Sequence, residues 1–230
     1  MAAAKKQETK SSTIYIQPME EATAKITIVG DTPLIVSKWT KKAKQELLDS
    51  QTDAKKTKKQ KTPKNIWGEF ADSLYWMDGG PDVDYSDWTA ELFEEKAKGA
   101  RFGFPCTGIK AAALMSAVRG GYVRYKTEIM GDFWIVGEGE RQLVEIHSPG
   151  LPSMREDNVR LAGIGRNADL RYRPQFLEWS MDLLIRYDLN GNIDLSSILN
   201  LINLGGHKCG IGEWRTEKSG TFGQFHVKAG

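Results

Sequence analysis

The stretch Trp179-Ser180-Met181-Asp182-Leu183-Leu184-Ile185-Arg186-Tyr187 restricts the fold of this chain more than any other segment. Apolar side chains at every second position place one face of an extended strand on a core, and a period of two does not fit a helix. Asn190-Gly191-Asn192 ends the strand. Asp194 then caps a helix whose apolar stripe is Leu195, Ile198, Leu199 and Ile202, and Gly205-Gly206 is the expected stop. A last strand is expected from Phe222 to Val227.

The same reading of the N-terminal part gives a strand at Ala24 to Val29, ended by the turn residues Gly30-Asp31-Thr32-Pro33. A helix of small apolar residues runs from Gly108 to Arg119 with Thr107 as its N-cap. Phe133 to Val136 and Leu143 to Ile146 read as strands separated by a turn. In order, these elements make an α+β chain with a ferredoxin-like (RRM-like) β-α-β-β-α-β core. Residues 1–22 are expected to be a flexible segment, and 23–230 a single domain with insertions at about 31–103 and 137–176. Within the first insertion, helices are expected at Lys41 to Leu48, Asn65 to Trp76 and Trp88 to Lys98, and Asp53 to Lys64, with six lysines, reads as a solvated arm. In the second, Pro149 to Asn167 reads as loop.

Apolar residues at 40% and charged residues at 27% exclude a disordered chain, and no apolar run is long enough to span a bilayer. Two cysteines, Cys106 and Cys209, far apart in sequence, fit a reducing compartment, so a cytoplasmic protein is expected. The net charge is only +2, so affinity for phosphate must come from local clusters of Lys and Arg.

The segment from Gly205 to Gly223 carries six glycines together with Lys208, Arg215 and Lys218. Glycine amides at positive φ make concave anion sites, and here Gly210 and Gly212 are the candidates. Trp214 and Phe222 offer flat faces for stacking bases. The same glycines also serve as ordinary tight turns, and the two readings stay open. Lys110, one turn into its helix, suits either a phosphate contact or a structural one, as does Arg119 at the helix end. Arg171 and Arg173 alternate on one side of an extended segment, placed either to follow successive phosphates or to pair with carboxylates.

Three segments resemble the repeat-associated RNA-binding superfamily (RAMP): the first strand running into Thr32-Pro33-Leu34, the element Phe104-Pro105-Cys106-Thr107-Gly108-Ile109-Lys110 ending at Arg119, and the glycine-rich loop before the last strand. Its best-known members are CRISPR backbone subunits. The family's helix motif usually reads Pro-Gly-Ser-Ser-Leu-Lys-Gly, of which Pro105 and Lys110 hold their places, as in a divergent branch of the kind that phages or mobile elements carry. The resemblance implies a ferredoxin-like protein that binds guide RNA and polymerises along it with other ribonucleoprotein subunits. The nucleic-acid-binding set is then Lys110, Arg119, Arg171, Arg173, Lys208, Gly210, Gly212, Trp214, Arg215 and Lys218. A phage-type protein that anneals single-stranded DNA, and an assembly protein without nucleic acid, are the alternatives. No zinc pattern, nucleophile elbow, Walker loop or dinucleotide fingerprint stands in a fitting context, so no metal, no cofactor and no catalytic residue is expected. Aspartates of the first insertion would matter only if the chain cleaved RNA with a metal.

Overall fold

A computed structural model describes residues 15, 17–52, 63–160 and 168–228. Its elements are β1 (Glu21–Gly30), β2 (Leu34–Ile35), α1 (Lys41–Thr52), α2 (Ile66–Asp72), α3 (Ala90–Ala97), β3 (Gly103–Pro105), α4 (Cys106–Arg119), β4 (Phe133–Val136), β5 (Leu143–Glu145), β6 (Ser153–Arg160), β7 (Ala168–Phe176), β8 (Ser180–Asp188), α5 (Leu195–Lys208) and β9 (Phe225–Val227). The described residues thus form a mixed α+β chain with antiparallel sheets and five α-helices.

The main sheet has the order β4-β8-β1-β9. In β8, Met181, Leu183, Ile185 and Tyr187 are buried while Asp182 and Arg186 are exposed, as the alternation predicts. β1 pairs with β8 from Glu21↔Asp188 to Val29↔Ser180 and with β9 from Ile28↔Val227 to Gly30↔Phe225. The core joins the inward residues Ile28, Phe133, Ile135 and Leu183 to Ile109, Ala113 and Ala117 of α4 and to Ile198 and Ile202 of α5.

Several boundaries differ from the sequence reading. α5 does not stop at Gly205-Gly206 but runs two residues further, and both glycines are buried inside it. A side chain there has no room: a Cβ on Gly205 would sit 2.8 Å from the backbone of Ala112 and Ala113, and one on Gly206 would sit 2.0 Å from the Phe225 carbonyl oxygen. The pair is a packing device that lets α5 lie against α4 and β9. α4 starts at Cys106 rather than after a Thr107 cap; Pro105 holds the N-cap position without a side-chain bond, and the Cys106 amide donates to the Gln142 carbonyl. β9 begins three residues later than expected, and α1 runs on to Thr52. The lysine-rich arm lies almost wholly outside the described residues; its last member, Lys64, forms ion pairs with Glu69 and Asp169.

The insertions are not separate additions. β2 from the first pairs with β7 from the second, Leu34↔Phe176 and Ile35↔Gln175, and β6 completes a sheet of order β2-β7-β6. β6 occupies Ser153–Arg160, inside what reads as loop. β4 and β5 do not form a hairpin either: β4 joins β8, and β5 pairs with β3. Around α2 and α3, Phe70, Phe93, Trp76, Trp88 and Phe102 make an aromatic cluster with ring centroids 4.8 Å apart for Phe70–Phe93 and 4.9 Å for Trp76–Phe102. α2 is capped by Asn65, which accepts from the Gly68 amide, and α3 by Thr89, which accepts from the Leu92 amide.

Candidate functional site

α5 ends against the chain that leads out of β1. The following loop is stitched to it: the Glu213 amide donates to the Ile35 carbonyl at 2.9 Å, Gly223 to Pro33 at 2.9 Å, and Ile211 to Gly223 at 2.9 Å. Gly210 and Gly212 have φ of 66° and 78°, a region that favours glycine. At Gly212 a Cβ would also fall 2.4 Å from the Ile35 carbonyl oxygen. Opposite this loop stands the first half of α4. Between them lies a cleft of about 330 Å³, lined by residues of Phe104 to Met115 on one wall, by residues of Gly210 to Glu217 on the other, and also by Ser37 and Tyr75.

The walls are largely main chain and small side chains, including Gly108, Ala111, Ala112, Gly210 and Gly212. Phe104 and Tyr75 supply aromatic surface. The start of α4 lies on the cleft through Pro105, Thr107 and Gly108, so the partial positive charge of the helix N-terminus faces it. The Gly212 and Arg215 amides have no partner among the described residues. Such surfaces admit the backbone of a ligand and favour its negative charge.

The expected site residues divide into groups. Gly210, Gly212 and Arg215 line the cleft. Arg215 is held by Glu217, with N–O distances of 2.8 and 3.0 Å, and donates to the Gly212 carbonyl at 3.1 Å. Arg119 reaches the same Glu217 at 3.4 Å. Trp214, at φ 50° and 40% exposed, donates its indole N–H to Asp157 at 3.2 Å. Arg173 pairs with that aspartate at 3.3 Å, and Arg171 with Asp169 at 2.8 Å and Glu69 at 3.6 Å. Lys110 lies outside the cleft lining: its ammonium donates to the Met130 carbonyl at 2.7 Å and sits over Phe133 and Trp134, and burial lowers its pKa. Lys208 and Lys218 are exposed and have no carboxylate partner among the described residues. Of the seven cations expected on phosphate, four are therefore neutralised by internal acids, and the cleft depends more on backbone than on arginine.

No protein-family model matches the sequence, and no curated protein matches it. Among solved structures the chain is similar to Cmr6 from Pyrococcus furiosus, with 10% identity, a TM-score of 0.35, and coverage of 91% of this chain and 99% of that one.

Sequence reasoning missed two groups of charged residues. Asp157, 5% exposed, is the hub that joins Arg155, Arg173 and Trp214, while Arg155 lies 4.7 Å over the Phe222 ring. Lys38 follows the lining residue Ser37 and is brought down to about 8 by burial and then by repulsion from Arg141; Lys44 and Lys41 add to the repulsion, and Asp72 offsets part of it. Tyr75 is pushed up, mainly by burial, and feels both Arg141 and Glu213. No local motif marks Lys38 or Arg141, because only the fold brings them together.

A lysine whose folded value lies below its unfolded value destabilises the fold while both states are protonated, at and below about pH 8. The penalty fades as pH rises from about 8 towards the unfolded value. Lys38→Met is therefore expected to raise Tm by about 2–4 °C near neutral pH, discounted for the solvent-facing part of the side chain, with the difference vanishing at about pH 10.5. Thermal melts across that range check it. Burial also pushes the thiols of Cys106 and Cys209 up, which leaves neither an activated nucleophile. Among the described residues no group of three or more His, Cys, Asp or Glu is placed to hold a metal, and no helix is long and apolar enough to cross a membrane.

Proposed function

We propose that this chain is a non-catalytic subunit that lays single-stranded nucleic acid, RNA in the first place, along the cleft between α4 and the Gly210–Gly212 loop. One observation carries the reading: Phe104 to Met115 and Gly210 to Glu217, far apart in sequence, face each other across a cleft with main-chain walls that Ser37 also lines, and the glycine loop is hydrogen-bonded to the segment after β1 through Pro33 and Ile35. They overlap the segments on which the resemblance to the RAMP superfamily rests: the first strand into Thr32-Pro33-Leu34, Phe104 to Lys110 ending at Arg119, and the glycine-rich loop from Gly205 to Gly212. The order β4-β8-β1-β9 supports a ferredoxin-like core, since β1, β4, β8 and β9 taken as its four strands give the split βαβ arrangement, with α4 and α5 as its two helices. On this reading the protein works in the cytoplasm and assembles with further copies or other ribonucleoprotein subunits along the strand.

Ala111 is exposed on the cleft wall, so a longer side chain there fills the cleft without disturbing the core. Ala111→Glu is expected to weaken binding of a labelled oligouridine roughly tenfold or more by anisotropy, because a carboxylate set among phosphates repels them. Its melting curve should match the parent. Wild-type binding should lengthen with the strand and fall steeply with salt, and a DNA competitor of the same sequence measures the contribution of the 2'-hydroxyl. Equal binding by Ala111→Glu would place the strand elsewhere.

A second reading, an assembly protein without nucleic acid, is favoured by one observation: Arg119, Arg171, Arg173 and Arg215 all pair with carboxylates of the same chain. Purified protein without excess absorbance at 260 nm, and with no shift of a labelled strand at low salt, would decide for it.

A further inference from the structure

β1 is longer than the strand that flanks it. It spans Glu21–Gly30, but β9 covers only Ile28 to Gly30, and the Lys228 amide adds one bond to the Thr27 carbonyl. From Glu21 to Lys25 that side of β1 has no strand beside it among the described residues. Two bonds fix which main-chain groups face the gap. The Gly30 amide donates to the Trp179 carbonyl on the β8 side, and the Thr27 carbonyl accepts from Lys228 on the β9 side. Main-chain groups alternate sides along a strand, so even-numbered residues face β8 and odd-numbered ones face away from it. The amides and carbonyls of Glu21, Thr23 and Lys25 therefore point into the gap, without a main-chain partner among the described residues.

The surroundings of this edge suit another strand. On the outer face of the sheet Glu21, Thr23 and Lys25 are exposed, and Arg186 of β8 holds the Glu21 carboxylate there at 3.0 Å. On the inner face Ala22, Ala24 and Ile26 are only partly buried against the core, as is Leu199 of α5. Where β9 stops, a groove of about 910 Å³ opens beside β1, with Lys25, Ile26, Thr27, Leu199, Val227 and Lys228 in its lining. An open edge with an apolar underside is a template for strand pairing.

We infer that β1 pairs with β1 of a second copy of this chain, antiparallel about a two-fold axis at Thr23. Charge sets the register. With Thr23 opposite Thr23, Glu21 of each copy faces Lys25 of the other, so both outer pairs carry opposite charges, and Ala22 faces Ala24 beneath them. Each odd-numbered pair exchanges main-chain hydrogen bonds, because those residues face the gap. An axis at Lys25 would set lysine against lysine. An axis at Ala24 would bring Glu21 opposite Thr27, whose carbonyl Lys228 already holds. Lysine on a bare edge ordinarily guards against pairing, but a glutamate four residues away in the same strand supplies its partner once the strand is doubled by symmetry. The contact closes at two copies and joins two main sheets into one. None of its residues lines the cleft, so it holds whether or not the cleft takes nucleic acid.

Sedimentation equilibrium of nuclease-treated protein is expected to show a monomer–dimer equilibrium that weakens as salt rises. Thr23→Pro removes an amide that faces the gap and none that pairs with β8, so the variant should fold and should weaken the dimer roughly tenfold or more. Lys25→Glu sets glutamate against glutamate, and Glu21→Lys sets lysine against lysine; each alone should weaken the dimer by a similar factor. An equal mixture of these two variants restores both opposite-charge pairs and should dimerise again, which misfolded variants could not do. Amide exchange at Thr23 and Lys25, followed by NMR, should slow as the protein concentration rises. A wild type that stays monomeric up to about 1 mM overturns the inference and leaves Lys25 as a guard on a bare edge. A dimer that all three variants leave intact overturns it as well, since the contact then lies on another face. A mixture that stays monomeric rejects the register and the assignment with it.

Discussion

Asp157→Ala is expected to lower stability by about 3 kcal/mol, seen as a fall in the urea midpoint with an unchanged slope. Asp157 is buried and accepts from Arg155 at 2.7 Å, Arg173 at 3.3 Å and the Trp214 indole at 3.2 Å. Arg155 and Arg173 are direct cross-strand partners on β6 and β7, so removing the carboxylate leaves two guanidinium groups facing each other with nothing between them. Arg155 is about one third exposed and recovers part of its hydration, which keeps the cost at the low end of the range for a broken buried pair. Asp157→Asn keeps an acceptor for Trp214 and one arginine and should lose about half as much. A loss below about 1 kcal/mol for the alanine variant would mean that the cluster is solvated like an ordinary surface pair.

The same aspartate explains why β6 was illegible. Four of its eight residues, Arg155, Glu156, Asp157 and Arg160, are charged, and no apolar alternation runs through it. It exists as a strand because β7 pairs with it from Ser153↔Gln175 to Arg160↔Ala168 and because its inward charge meets two arginines and an indole. β8 and the start of α5 were legible for the opposite reason: each buries a face of its own, so period and cap are written locally. α4 was legible as a small-residue helix, and the glycine loop as a concave turn. That they face each other across a cleft depends on hydrogen bonds to Pro33 and Ile35 that no spacing in the chain announces.

The expected site residues fared according to what surrounds them. Gly210 and Gly212 lie on the cleft, where positive φ and close approach to Ile35 both require glycine. Arginines chosen for their charge met carboxylates that sequence alone could not place beside them: Glu217 for Arg119 and Arg215, Asp157 for Arg173.

Gly206→Ala is expected to destabilise the protein by about 2–3 kcal/mol, although glycine to alanine inside an exposed helix normally stabilises by up to about 1 kcal/mol. The sign decides between two pictures of the Gly205-Gly206 pair. If α5 ended there facing solvent in an ordinary helical conformation, the methyl group would cost nothing and reduce the freedom of the unfolded chain. In the structure it would meet the Phe225 carbonyl oxygen at 2.0 Å, and that atom is backbone, so relief requires β9 to move. β9 is a three-residue edge strand held to β1 and, through its Val227 amide, to Asn203 of α5 at 3.0 Å. Pushing it outward loosens Phe225, which is buried against Trp179 with ring centroids 6.1 Å apart. It also strains the path from β9 back through Gly223 to Pro33, the bond that holds the glycine loop over the cleft. The variant should therefore unfold at lower urea and, where still folded, bind a strand more weakly than the wild type. An increase in its urea midpoint would mean that α5 does not lie against β9 as described.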